Sequence, residues 1–228
     1  MRFASLMVAV ALVQAGQVKN QVPPKTVPTI RIYNAIQSGP DVKLDILLDG
    51  SPVASAVAAD TLSGPFMPKD PKNVKLAIKK AEGTDSLLEL PVDASSQDHI
   101  LVVLGDPDKK LDVADLPVKA VLATVGKSSI NILSVIPKDD AGDDIDVYVL
   151  GPADKLETAT PAAKAVAYKS STSIYVPPGV YTVVVTKTGV KDTLVQSGPI
   201  DAKENAREAV LALPKISGKP NKVQLINL

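Results

Sequence analysis

Apolar and polar residues alternate along most of the chain, in short runs bounded by glycine, proline, asparagine or aspartate. Two segments show the pattern clearly: 41–50, DVKLDILLDG, and 143–152, DDIDVYVLGP. In each, charged residues precede an alternating apolar stretch that a glycine follows. A period of two places successive side chains on opposite faces of a β-strand. The pattern therefore predicts an all-β protein built from short strands.

The pattern occurs twice along the chain, because four sequence blocks recur in the same order. The offset between copies is 100 residues for the block that starts at 29 and 109 for the block that starts at 52. A loop insertion in the second copy, at 151–161, accounts for the change. We infer an internal duplication. The matching blocks are 29–36 with 129–136, 45–48 with 146–149, 52–59 with 161–168, and 85–94 with 192–202.

The second copy contains seven strand signals, which is the number expected for an immunoglobulin-like sandwich. One of them is ambiguous, since Asp201 and Glu204 form a capping-box pattern that favours a helix. The matching segment 93–104 favours a strand, and we follow the repeat. The predicted strands are 129–136, 145–150, 161–167, 172–176, 180–187, 192–198 and 206–213.

The N-terminal segment has the features of a signal peptide. Arg2 precedes an apolar run over 3–13, and Val13 and Ala15 suit the −3 and −1 positions of a cleavage site. The run is too short to span a bilayer; the alternative is a buried N-terminal strand or helix. No second long apolar stretch follows, so we expect an exported mature chain that is not inserted into a membrane.

These signals predict an all-β protein with two tandem immunoglobulin-like antiparallel β-sandwich domains after an N-terminal signal peptide. The middle of the linker, 116–124, and the end of the tail, 223–228, are candidates for additional strands. The predicted segments are a signal peptide (1–15), a polar leader (16–28), a first sandwich (29–105), a linker (106–128), a second sandwich (129–213) and a C-terminal tail (214–228).

Composition excludes several classes of function. The 25 basic and 25 acidic residues balance, only three of the basic residues are arginine, and there is no tryptophan. Without a basic stripe or a stacking platform, nucleic-acid binding is not expected. Cysteine is absent, which excludes disulfides, thiolate nucleophiles and cysteine-based zinc sites. We expect no cofactor.

The second copy resembles the domain-of-unknown-function 4397 family, found mostly as tandem copies in exported bacterial proteins. The resemblance rests on DDIDVYV, with Asp146 and Tyr148, and on VPPGVYTVVV, with Pro178, Gly179 and Tyr181. It extends over about 29–213. The resemblance implies an exported β-sandwich protein and carries no catalytic residues.

The first copy follows that family pattern less closely. Leu47 stands at the tyrosine position, and 70–73, DPKN, replaces the Pro-Gly turn. In the second copy, Ser134 stands where the family often has histidine. Any role of that histidine is therefore absent from this copy.

An acidic turn is the candidate metal site. Asp139, Asp140, Asp143 and Asp144, followed by Asp146, could supply the oxygen ligands that calcium prefers. The spacing departs from the EF-hand loop, and alternation places Asp144 and Asp146 on one face of a strand. The alternative is a solvated turn whose charges protect a sheet edge.

Enzymatic function is the second hypothesis. His99, the single histidine, precedes the apolar run ILVVL, so we expect a partly exposed residue at the start of a strand. No G-x-S-x-G elbow accompanies it. Paired carboxylates could serve a secreted hydrolase, although aromatic platforms for sugar rings are scarce.

The sequence thus favours an exported, non-catalytic protein with a structural, adhesive or ligand-binding role, located at the cell surface, in the periplasm or outside the cell. An unknown surface protein or a glycan is the expected ligand, and the loops 137–144 and 151–161 are its candidate sites. A secreted hydrolase and a calcium-dependent adhesion module are the alternatives.

Overall fold

The computed structural model describes residues 27–36, 42–118, 126–141, 144–214 and 220–227. These residues form seventeen strands and one four-residue helix. The all-β sandwich fold predicted from alternation is confirmed. The predicted signal peptide, nearly all of the leader and part of the linker lie outside the described residues.

The first sandwich consists of eight strands, β1 to β8. Their bounds are β1 Ile30–Asn34, β2 Lys43–Leu48, β3 Ser51–Ala58, β4 Thr61–Phe66, β5 Val74–Lys80, β6 Ser86–Val92, β7 Asp98–Asp106 and β8 Lys110–Val118.

The second sandwich consists of strands β9 to β17 and the short helix α1. Their bounds are β9 Ser128–Ser134, α1 Lys138–Ala141, β10 Ile145–Leu150, β11 Ala163–Val166, β12 Ser171–Val176, β13 Gly179–Lys187, β14 Thr193–Gln196, β15 Ile200–Ala202, β16 Arg207–Leu213 and β17 Lys222–Asn227.

The strand order is the same in both sandwiches. The first has sheets β4-β1-β7-β8 and β3-β2-β5-β6, and the second has β12-β9-β16-β17 and β11-β10-β13-β14, with β15 added beside β13. In each, the first strand runs parallel to a late one, β1 to β7 and β9 to β16. In a constant immunoglobulin domain the first strand instead pairs with the second. The observed pairing therefore differs from that pattern.

Two strands lie where the sequence predicts a linker and a tail. β8 pairs with β7 along its whole length, and β17 pairs with β16. Each is the fourth strand of its sheet. β8 buries Ala114, Leu116 and Val118 in a core between the sheets, and β17 buries Ile226 there. The boundaries predicted at 105 and 213 are corrected accordingly: the first sandwich extends to Val118 and the second to Asn227.

The ambiguous segment 201–213 forms strands β15 and β16, as the repeat predicts. Tertiary packing overrides its helical propensity, because β16 is buried on both faces. Val210 and Ala212 face the interior of the second sandwich, whereas Ala209 and Leu211 face the first sandwich.

The four sheets stack into layers separated by three apolar cores. One core lies inside each sandwich. The third, which we call the central core, lies between sheet β4-β1-β7-β8 and sheet β12-β9-β16-β17. Its buried members are Tyr33, Ala35, Ile100, Val102, Leu104, Ala114, Leu116, Val118, Leu133, Val135, Ala209, Leu211, Leu213 and Ile226.

Candidate functional site

The acids of the predicted calcium site are only partly described. Asp139 and Asp140 lie in α1 and Asp144 directly precedes β10, whereas Asp143 lies outside the described residues. Within the described ranges, no group of three or more histidine, aspartate or glutamate side chains is placed to hold a metal ion. Calcium binding stays a prediction. Melting curves in calcium and in EDTA test it, because a ligand that binds only the folded state raises the melting temperature.

Asp146, the aspartate of the family motif, is buried and holds two backbone amides. Its carboxylate accepts hydrogen bonds from the N–H of Ala165 at 2.9 Å and of Gly189 at 3.0 Å. Ala165 has φ 50° and lies where the pairing of β10 with β11 shifts. In the first sandwich, Asp45 accepts from the N–H of Ala56, which has φ 52°, at 2.8 Å. Each aspartate thus fixes a bulge in the neighbouring edge strand.

The other motif residues also stabilise the fold. Tyr148 is buried in the second sandwich. Tyr181 donates its hydroxyl proton to the carbonyl of Pro177 at 3.0 Å. A Cβ on Gly179 would lie 3.4 Å from the Tyr181 ring, which is van der Waals contact. The motif residues described therefore have structural roles, and they do not identify a reaction or a ligand.

The candidate loop 151–161 is held against the loop between β13 and β14 of the second sandwich. The Lys191 ammonium donates to the carbonyls of Glu157 at 2.6 Å and Ala159 at 2.8 Å. It also lies 5.9 Å from the centroid of the Tyr148 ring. One lysine thus ties the insertion to the connection between β13 and β14.

His99 is buried, with 6% of its surface exposed, so the prediction of a partly exposed residue is corrected. Its Nδ1 lies 2.9 Å from both carboxylate oxygens of Asp115, across the β7–β8 pair. Its Nε2 is buried and has no hydrogen-bond partner. In a catalytic triad that nitrogen accepts the serine proton. The observed geometry is that of a structural histidine–aspartate pair.

A groove of about 630 Å³ lies along β5 and β6 of the first sandwich. Leu90, Pro91 and Val92 supply part of its apolar surface, and its lining also contains four charged residues, Lys72, Lys75, Glu89 and Asp93. Lys75 and Glu89 form an ion pair across it at 2.7 Å. We call this the β5–β6 groove.

The carboxylates of the β5–β6 groove are held ionised by their neighbours. A hydrogen bond from Lys75 lowers the pKa of Glu89, and hydrogen bonds from the side chain and N–H of Ser95 lower the pKa of Asp93. The groove lining contains no serine, threonine, cysteine or histidine. Such a surface can bind a polar ligand, but its carboxylates are poor proton donors.

A second groove, of about 520 Å³, lies at the end of the second sandwich and is lined by Asp201, Lys203 and Glu208. Burial, followed by the charge of Asp201, raises the pKa of Glu208. We call this the Asp201–Glu208 groove. A carboxyl group with a raised pKa beside a second carboxyl group is an arrangement that acid catalysis can use.

The strand registers place Glu208 at the position of His99. Ile30 and Ile130 match in the repeat, and β1 pairs Ile30 with His99 while β9 pairs Ile130 with Glu208. The histidine–aspartate pair of the first sandwich is thus replaced by an acidic groove in the second.

Sequence reasoning did not identify the charged residues of either groove. The repeat held a signal for Asp201, since the block with Asp93 matches the block with Asp201. Glu208 and Glu89 carried no such signal, because their neighbours are set by cross-strand register.

No protein-family model matches the chain, and no curated protein matches it. Among solved structures, the chain is similar to a family 26 carbohydrate-binding module of Amy13K from Eubacterium rectale in complex with maltoheptaose. The identity is 11%, the match covers 88% of this chain and 97% of that one, and the TM-score is 0.28.

Two further solved structures are similar at the same level. Family 41 carbohydrate-binding modules from streptococcal virulence factors match with 10% identity over 86% of this chain and 96% of theirs, with a TM-score of 0.28. The Bacillus anthracis TIE protein matches with 12% identity over 86% of this chain and 34% of its own, with a TM-score of 0.26. At such TM-scores neither fold family nor ligand follows.

The comparisons therefore leave the family of the chain open. Within the described residues, no helix is long and apolar enough to cross a membrane.

Proposed function

We propose that the protein is an exported, non-catalytic tandem β-sandwich of the domain-of-unknown-function 4397 type that binds a polar ligand, a glycan or a surface protein, in the β5–β6 groove. The observation that carries the proposal is the lining of that groove. It combines an apolar surface with a fixed pair of opposite charges, and its carboxylates remain ionised. Export is supported by the pattern of the first fifteen residues.

The geometry of the groove suits binding for two reasons. First, Lys75 and Glu89 project from neighbouring strands of one sheet, so their separation is fixed by the β5–β6 pairing. Second, both side chains are about half exposed and remain accessible to a ligand. Preorganised polar groups around an apolar surface reduce the entropy lost on binding.

Removal of the Lys75–Glu89 ion pair tests the proposal without changing the net charge. The variant K75A/E89A is expected to bind ligands from a glycan array or a native extract about tenfold more weakly, which corresponds to the loss of one charge-assisted contact. The control K80A/D108A removes another exposed ion pair of the same sandwich and should bind normally. Equal binding by wild type and K75A/E89A would exclude the β5–β6 groove as the site.

The Asp201–Glu208 groove supports a second candidate function, a hydrolase that uses paired carboxylates. The specific observation is the raised pKa of Glu208, which keeps its carboxyl group protonated at a higher pH than usual. A general acid is active while it is protonated, so turnover should fall as pH rises through that pKa.

Chromogenic glycosides and esters test this candidate. If the groove is catalytic, E208Q abolishes turnover, whereas E89Q, in the β5–β6 groove, leaves it unchanged. If the wild-type protein shows no turnover between about pH 4 and pH 8, a range that covers usual and raised carboxyl pKa values, the hydrolase candidate is excluded.

A further inference from the structure

Three ion pairs among the described residues connect the two sandwiches at the rim of the central core. In each of them the acid belongs to the first sandwich and the base to the second. The Arg207 guanidinium lies 3.0 Å from the Asp98 carboxylate. The other two pairs are Asp112 with Lys169 and Asp60 with Lys222.

The six residues occupy three pairs of equivalent positions in the repeat. The N–H of Asp60 donates to the carbonyl of Asn34 at 2.7 Å, and the N–H of Lys169 donates to the carbonyl of Ser134 at 2.7 Å. Positions 34 and 134 match in the repeat. Asp60 and Lys169, with φ 67° and 62°, are therefore equivalent turn residues.

The strand registers establish the other two equivalences. Asp98 and Arg207 directly precede His99 and Glu208, which match as described above. Asp112 lies opposite Leu104, and Lys222 lies opposite Leu213. Leu104 and Leu213 are five residues beyond His99 and Glu208, respectively, so Asp112 and Lys222 occupy the same position of the fold.

The contact between the sandwiches therefore has approximate two-fold symmetry. Exchange of the two sandwiches converts the pair Asp112–Lys169 into the pair Lys222–Asp60, and it maps Asp98–Arg207 onto itself. The apolar contacts obey the same rule, because the equivalent residues Ala59 and Tyr168 both pack against the central core. This is the isologous geometry of a symmetric dimer, contained in one chain.

An isologous surface would normally allow each sandwich to pair with a copy of itself, but the charges oppose such pairing. In a pair of first sandwiches, Asp98 would face Asp98 and Asp112 would face Asp60. In a pair of second sandwiches, Arg207 would face Arg207 and Lys222 would face Lys169. Like charges at the edge of a buried interface disfavour the wrong partner.

We propose that these three ion pairs form a charge code. We call the sheets that flank the central core, β4-β1-β7-β8 and β12-β9-β16-β17, the inner sheets. Under this code, the inner sheet of a first sandwich pairs only with the inner sheet of a second sandwich. The code excludes self-association of either sandwich through its apolar inner face. Partial burial supports this role, since Asp98 and Arg207 are 20% and 34% exposed and solvent screens them incompletely. The inner face of a first sandwich therefore pairs with the inner face of a second sandwich, in the same chain or in another chain.

Charge reversal in the full chain tests the code. The variant K169D/R207D places acids opposite each other at two of the three pairs, and D98R/D112K places bases opposite each other at the same two pairs. Asp60 and Lys222 are left unchanged, because Asp60 also accepts the hydroxyl proton of Tyr33. Each variant alone is expected to melt about 10 °C lower than wild type. An equimolar mixture should form a 1:1 complex of twice the chain mass, since each sandwich then finds its complement in the other chain.

The quadruple variant D98R/D112K/K169D/R207D restores opposite charges within one chain. We expect it to recover the wild-type mass by light scattering and most of the lost melting temperature. This variant also covers the case in which the double variants fail to fold. The charge code is overturned if the quadruple variant does not recover the wild-type mass and melting temperature. It is also overturned if the double variants melt like wild type and do not form a complex.

Nonspecific attraction between oppositely charged chains requires its own control. K75E/K80E and E89K/D108K change the net charge by the same amounts at two exposed ion pairs whose residues are not part of the central core. Their mixture should remain uncombined at physiological salt. A complex in this control would attribute association to net charge and would equally overturn the proposal.

Discussion

At the scale of single residues, the repeated aspartates show how a sequence motif supports the sandwich. Asp146 and Asp45 occupy equivalent positions and accept hydrogen bonds from bulge residues whose φ is positive. A positive φ is unfavourable for alanine, so the bulge needs external support. Asp146 provides more of it, because its buried carboxylate also accepts a hydrogen bond from the N–H of Gly189 in the loop between β13 and β14.

Replacement of these aspartates should have unequal effects. D146A leaves two amide groups without their acceptor, and we expect the free energy of unfolding to fall by about 2–4 kcal/mol. D45A removes a single hydrogen bond, which is more exposed to solvent, and should lower the free energy of unfolding by about 1 kcal/mol. Urea denaturation of both variants measures the difference. If D146A and D45A lower the free energy of unfolding equally, the hydrogen bond between Asp146 and the N–H of Gly189 does not stabilise the fold.

At the scale of elements, alternation predicts the strands well where a strand buries one face. Every strand predicted in the second copy has an observed counterpart, and β10 has the predicted bounds 145–150. The sequence placed possible strands at 116–124 in the linker and 223–228 in the tail, outside the sandwiches, because a seven-strand template leaves no place for them. β17 coincides with the second of these, and β8 overlaps the start of the first. The burial of β8 is nevertheless readable in the apolar positions of its sequence, KLDVADLPV.

The grooves could not be predicted at this scale. Lys75 and Glu89 are 14 positions apart in the chain, and only the pairing of β5 with β6 brings them together. The raised pKa of Glu208 likewise depends on burial and on β15, the strand that carries Asp201. Sequence alternation gives the face of a strand on which a residue lies, but not its cross-strand partner.

At the scale of the whole molecule, the central core makes the two sandwiches one packed body. The runs ILVVL in β7 and AVLAL in β16 are apolar without interruption, which is typical of strands buried on both faces. Tandem sandwiches that fold independently would leave one face of each such strand in water. The continuous runs are therefore the sequence signal for the contact between the sandwiches. The alternating segments elsewhere favoured an interpretation as two separate domains.

A shared core has a consequence for unfolding, because loss of one sandwich exposes the inner face of the other. We expect a single calorimetric transition with equal van't Hoff and calorimetric enthalpies. L211A, in the central core, and L76A, inside the first sandwich, should each cost about 2–5 kcal/mol and lower the whole transition by roughly 5–15 °C. If L76A instead splits the curve and leaves one component at the wild-type midpoint, the second sandwich is stable alone and the central core does not couple the halves.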